Sequence, residues 1–157
     1  MNMRETVATR LHRLHGAGRI AVKQSGGRTR LDTLYQDGAA KIRLPRRSAD
    51  PLEAVLINTA GGVTGGDRLD WQAEVAEACR LTLTTQACEK TYKSTEDEAH
   101  ISVRLKVGQK AHLGWLPQET ILFDRSALSR QIEADIAPGG SLLLVEPVVF
   151  GRAAMGE

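Results

Sequence analysis

Three stretches decide how this chain folds: Val75-Ala-Glu-Ala-Cys-Arg-Leu81-Thr-Leu83, Val107-Gly-Gln-Lys-Ala-His-Leu113-Gly-Trp115 and Ile136-Ala-Pro-Gly-Gly-Ser-Leu142-Leu-Leu144. In each, an apolar residue is followed at +6 and +8 by two more, with a polar or glycine-rich turn between. Val75, Val107 and Ile136 stand 32 and then 29 residues apart. A strand, a tight turn and a returning strand, repeated at that period, is how a solenoid stacks one apolar face on the next. The bland alternative is an ordinary antiparallel sheet protein that carries the spacing by chance.

Outward from these copies the dominant period is two. Leu69, Trp71, Ala73 and Val75 alternate with Asp70, Gln72 and Glu74, and Ile101, Val103, Leu105 and Val107 with Ser102, Arg104 and Lys106. Such alternation marks strands with one buried and one wet face. Ala54–Asn58 reads as a short apolar strand. Tyr35-Gln36-Asp37-Gly38, between two strand-like runs, reads as a hairpin with Asp-Gly in the turn. Thr6–His15 is the best helix candidate and also reads as the start of a strand. The expected fold is all-β, with stacked antiparallel or solenoid-like sheets and little helix.

Length and composition agree. The 157 residues fit one domain, which can bury roughly two thirds of its unfolded surface. Lys and Arg number 21 against 19 Asp and Glu, a net charge of +2 that argues against a dense basic face for nucleic acid. No run of about 18 apolar residues suggests a membrane span. No secretory signal is visible, and two cysteines make no disulfide framework, so the expected compartment is the cytoplasm.

Four segments carry potential chemistry. Asn58-Thr-Ala-Gly61-Gly62-Val-Thr-Gly65-Gly66-Asp67 has four glycines in six residues, which permits positive φ and close backbone approach. It lacks the Gly-Lys-Ser/Thr end of a P-loop, and a strand rather than a helix follows it. It reads as two tight turns, with Asp67 either a turn residue or an acid facing a cavity. In Thr84–Ser94, Cys88 and Glu89 beside Lys90 could form a nucleophile site, although a wet strand and loop is the simpler reading. The residues His12, His15, Cys79, Cys88, His100 and His112 show no zinc-site spacing. Trp115-Leu-Pro-Gln118-Glu119 reads as a core anchor at a strand end or an interface hot spot. The acidic run Glu96-Asp97-Glu98 reads as a solvated turn.

Taken in order, Asn58-Thr-Ala-Gly-Gly-Val-Thr-Gly-Gly-Asp67-Arg-Leu69, Leu81-Thr-Leu-Thr-Thr-Gln-Ala-Cys-Glu-Lys-Thr-Tyr-Lys-Ser94, Trp115-Leu-Pro-Gln-Glu-Thr-Ile-Leu-Phe123 and Gly151-Arg152-Ala-Ala-Met-Gly-Glu157 resemble the urease accessory protein UreD (UreH) family. The likeness spans about residues 8 to 157. Glu89 departs from the family pattern, where many members carry a small or hydroxyl residue. The resemblance implies a non-catalytic, β-helix-like scaffold that binds apo-urease with UreF, and with UreG through UreF. It implies help in delivering nickel, with no tightly bound cofactor and only transient Ni²⁺. It further implies a water-filled tunnel, for which the matching candidates are Asp67, Glu89 and Glu146, with Asp67 and Glu146 as transient nickel ligands. Gly61, Gly62, Gly65, Gly66, Lys90, Tyr92, Trp115, Gln118 and Glu119 are candidates for motif or partner contacts. The family chain continues past the position of Glu157, so residues 1–157 are expected to be one β-rich domain cut short at its C-terminal side. The alternatives that the residues leave open are a Cys88/Glu89 hydrolase or transferase and a plain β interaction module.

Overall fold

The computed structural model describes residues 13–46, 50–95, 97–152 and 155–156. His12 and most of the Thr6–His15 helix candidate therefore lie outside the described residues, as do Glu96, Ala153, Ala154 and Glu157. The described chain forms strands β1 (His15–Ser25), β2 (Arg28–Gly38), β3 (Ala40–Arg43), β4 (Leu52–Asn58), β5 (Arg68–Val75), β6 (Arg80–Thr85), β7 (Glu89–Thr91), β8 (Ala99–Val107), β9 (His112–Trp115), β10 (Thr120–Leu122), β11 (Leu128–Ile136), β12 (Ser141–Leu144) and β13 (Val148–Phe150). They build three sheets: β11-β8-β5-β1-β2 (sheet A), β12-β9-β6-β4-β3 (sheet B) and β13-β10-β7 (sheet C).

The chain visits A, B and C in turn, then repeats. Strands β5-β6-β7, β8-β9-β10 and β11-β12-β13 are three stacked coils, each donating one strand to every sheet. Successive coils pair in parallel, because each strand is laid on its predecessor after a full circuit. The architecture is the expected all-β solenoid. Antiparallel pairing is confined to β1 with β2 and β3 with β4, which form the N-terminal end of the stack.

The sequence repeat is the register of this stack. Val75, Val107 and Ile136 are ladder partners in sheet A. Leu81, Leu113 and Leu142 are partners in sheet B, as are Leu83, Trp115 and Leu144. The turns between them repeat too: Cys79 N–H donates to Ala76 O, Ala111 N–H to Gly108 O and Gly140 N–H to Ala137 O. Ala78, Lys110 and Gly139 hold the same left-handed position in each turn. Inward columns of aliphatic residues fill the core, which is continuous through all three coils. Burying such columns removes apolar surface from water at roughly 25 cal/mol per Å².

One local expectation fails. Residues 35–38 do not form a hairpin. The β1/β2 turn is made by Gly26 and Gly27, both at positive φ, with Ser25 paired to Arg28. Gly38 is instead the corner where the chain leaves sheet A for sheet B, pressed against the backbone carbonyl of His15. The Asp-Gly signal was real as a bend. Pairing was decided by β1, which offers an eleven-residue partner on the same sheet.

Candidate functional site

The Gly-rich motif supplies the sheet C side of the layer below β7. Val63 makes a parallel bridge to Thr91, with Val63 N–H donating to Lys90 O at 2.8 Å and Tyr92 N–H to Val63 O at 2.8 Å. The glycines permit this close approach. A Cβ on Gly62, at φ 155°, would lie 2.6 Å from Lys90 O, and one on Gly65 would overlap Asp97 O and Ser94 Oγ. Gly61 and Gly66 are also at positive φ; Gly61 faces open space and Gly66 the Arg13 side chain. The motif is thus a close-packed turn pair, as its composition implied.

Asp67 closes the loop. Its carboxylate accepts Leu14 N–H at Oδ1 and Thr64 N–H at Oδ2, each at 2.8 Å, and the residue is 6% exposed. Of the two sequence readings, turn residue or acid facing a cavity, the hydrogen bonds match the first. Among the described contacts none links Asp67 to Glu89 or Glu146.

Glu89 and Glu146 belong to the interior side of sheets C and B. A cavity of about 170 Å³ is lined by Leu56, Asn58, Trp71, Cys88, Glu89 and Lys90, among others. Asn58 Nδ2–H donates to Glu89 Oε1 at 3.0 Å and to Gly62 O at 3.3 Å. Burial pushes the Glu89 carboxyl above its ordinary range, while the Asn58 hydrogen bond and the Arg130 charge act in the opposite direction. Glu146 accepts Arg130 Nε–H at Oε2 at 2.7 Å and Arg130 Nη2–H at Oε1 at 3.0 Å. Trp115 Nε1–H also donates to Glu146 Oε1. Thr120, buried, lies beside Glu89 in the ladder, and its next partner is Val148, two residues after Glu146. Glu89 and Glu146 are therefore about two coils apart, roughly 10 Å along the stack.

The remaining candidates are partly structural. Trp115, 2% exposed, anchors the core at the end of β9, as its position predicted. Gln118 N–H donates to Thr85 Oγ1, and Glu119 O accepts Glu89 N–H. Tyr92 is exposed, its ring edge-on to Phe123 at 5.3 Å. Lys90 lines the cavity beside Glu89. No histidine lines the Cys88 cavity, so the base that a Cys nucleophile needs is not at hand among the described residues. Likewise no group of three or more His, Cys, Asp or Glu placed to hold a metal is found among them. A larger groove, about 640 Å³, crosses the outer face of sheet A, but its charges alternate strand by strand and pair across strands, as in Lys106–Glu74 at 3.1 Å. The candidate carboxylates are not there.

Sequence reasoning missed Arg130 and the role of Asn58. Arg130 was legible in principle: it stands six residues before Ile136, as Leu69 does before Val75 and Ile101 before Val107. A cation in a column of aliphatic residues was the signal.

A sequence model described as the UreD urease accessory protein family matches residues 14–157. A protein named "Urease accessory protein UreD" from Sinorhizobium medicae is 56% identical over 155 residues, covering 99% of this chain and 56% of that protein. Proteins of the same name from Chelativorans sp. and Mesorhizobium japonicum are 54% and 53% identical over 147 and 145 residues, covering 94% and 92% of this chain and 53% and 52% of the relative. The chain spans about half the length of the curated relatives it matches. No helix among the described residues is long and apolar enough to cross a membrane.

Proposed function

This chain belongs to the UreD urease accessory protein family, and from that premise we propose that it acts as a non-catalytic cytoplasmic scaffold in nickel delivery to urease. In this reading it binds apo-urease together with UreF, and with UreG through UreF, and Ni²⁺ passes along its interior as cargo. The observation that carries the reading is the pair Glu89 and Glu146, two carboxylates set about two coils apart in an otherwise aliphatic stack. Nickel in transit needs oxygen donors that replace some of its water without enclosing it. Single carboxylates on separate coils meet that need, and a full ligand cage would trap the ion. Asp67, held by two backbone amides, acts in this reading as the clamp of the Gly-rich loop.

The test is co-expression with urease, UreF and UreG, followed by assay of urease activity and nickel content. Glu89→Ala and Glu146→Ala should lower both while the complex still assembles. Full activation in both variants, with the complex intact, removes the two carboxylates from the route. Intact partner binding with no Ni²⁺ uptake by calorimetry favours a plain β interaction module instead.

A further inference from the structure

We infer that Arg130 is a resident counter-ion that occupies Glu146 until a divalent cation displaces it, and so sets how tightly the interior holds its cargo. The inference rests on the delivery reading above and names the residue that tunes it.

The placement of Arg130 is the first observation. In sheet A it pairs in register with Ile101, which pairs with Leu69. Ile101 and Leu69 are 2% and 1% exposed. The third coil thus replaces an inward aliphatic side chain by a guanidinium. The second observation is its geometry. Arg130 reaches both oxygens of Glu146 with two different nitrogens, and the two side chains are only 18% and 21% exposed. A two-point guanidinium–carboxylate pair is the strong form of this contact.

The physical consequence concerns charge and lone pairs. A shielded carboxylate without a partner would bind a divalent cation strongly, because little water competes. With Arg130 in place its charge is already neutralised, and with Trp115 both oxygens carry donors. A divalent ion gains Glu146 only by displacing the guanidinium, which then becomes the unpaired charge. The exchange is therefore closer to balanced than binding to a bare carboxylate, and the ion can leave again. A buried ion pair adds little net stability compared with an apolar replacement, so the pair is not needed simply to hold β11 in place.

The experiment measures Ni²⁺ binding by titration calorimetry on the whole chain and on Arg130→Gln, Arg130→Met, Arg130→Lys, Glu146→Gln and Arg130→Gln/Glu146→Gln, with circular dichroism to establish folding. Arg130→Gln and Arg130→Met should tighten Ni²⁺ binding on the order of tenfold, as expected for removal of one neighbouring cation. Arg130→Lys, which keeps the charge, should stay within about twofold of the parent. The gain should vanish in the double variant. Folded Arg130→Gln and Arg130→Met proteins that bind no more tightly overturn the inference, as does a gain that survives Glu146→Gln. The co-expression assay is a separate readout: full activation by Glu89→Ala and Glu146→Ala, with tighter Ni²⁺ binding by Arg130→Gln, sinks the delivery reading and leaves the counter-ion role standing.

Discussion

Trp71 lies against the bare Cα of Gly18, its ladder partner on the neighbouring strand. A Cβ at Gly18 would overlap the indole ring, and Trp71 is only 6% exposed, so the ring has nowhere to retreat. Small against large is how close-packed interiors interdigitate. Gly18→Ala should therefore destabilise the chain by about 1–3 kcal/mol despite the better strand propensity of alanine. Urea denaturation reads this, and an unchanged midpoint would mean that the β1–β5 contact is looser than described.

The column Leu81–Leu113–Leu142 tests the stacking order. Leu113 is fully buried between two coils, whereas Leu142, in the third coil, is only partly buried. Leu113→Ala should cost about 3–5 kcal/mol and Leu142→Ala clearly less, because the cavity left at a half-open site can collapse or fill with water. Equal losses would contradict a layered core.

Lys110 holds the left-handed position of its turn, at φ 53°, where the next coil has Gly139. A side chain pays about 1–2 kcal/mol for that conformation, partly offset by the greater freedom of glycine when unfolded. Lys110→Gly should raise stability by about 0.5–1 kcal/mol, seen as a higher denaturation midpoint. A loss of stability would show that the turn is not left-handed there.

Asp67 accepts two backbone amides with its two oxygens. In Asp67→Asn one acceptor becomes an NH₂ group facing an N–H, so the variant should lose about 1–3 kcal/mol. The same measurement separates clamp from route. An Asp67→Asn chain of unchanged stability that fails to support urease activation would return Asp67 to the nickel path.

Glu89 makes a pH prediction. Its folded-state pKa is raised above 4.5, chiefly by burial. The folded state then holds the proton more tightly than the unfolded chain. Its contribution is fully present below the unfolded value and is lost as pH rises through the folded one. The Glu89→Gln variant lacks that titration. The stability difference between Glu89→Gln and the parent should grow in favour of the variant as pH is raised through this window. A difference that is flat with pH, from paired denaturation curves, would place Glu89 in water.

How far these features could be read from sequence differs by element. The repeat at Val75, Val107 and Ile136 was visible because a stacked fold must return an apolar side chain to the same height on every circuit, and it became the ladder of sheet A. Trp115 was readable as an anchor for the same reason. The hairpin expected at residues 35–38 failed because Asp-Gly specifies a bend, and only the available partner strand decides what the bend connects.

The sequence by itself determined the strands, their period and the close-packed character of the Gly-rich loop. Each depends on neighbours within a few residues, or on a repeat that any circuit of the chain must respect. The tertiary structure alone decided the charges. Asp67 was drawn onto the amides of Leu14 and Thr64, Glu89 into a cavity beside Asn58, and Glu146 onto Arg130. Sixteen positions separate Arg130 from Glu146 in the chain. Only the winding of one coil brings them within 3 Å. At that range, out of water, a charge is governed by the partner it meets rather than by the chain's net balance.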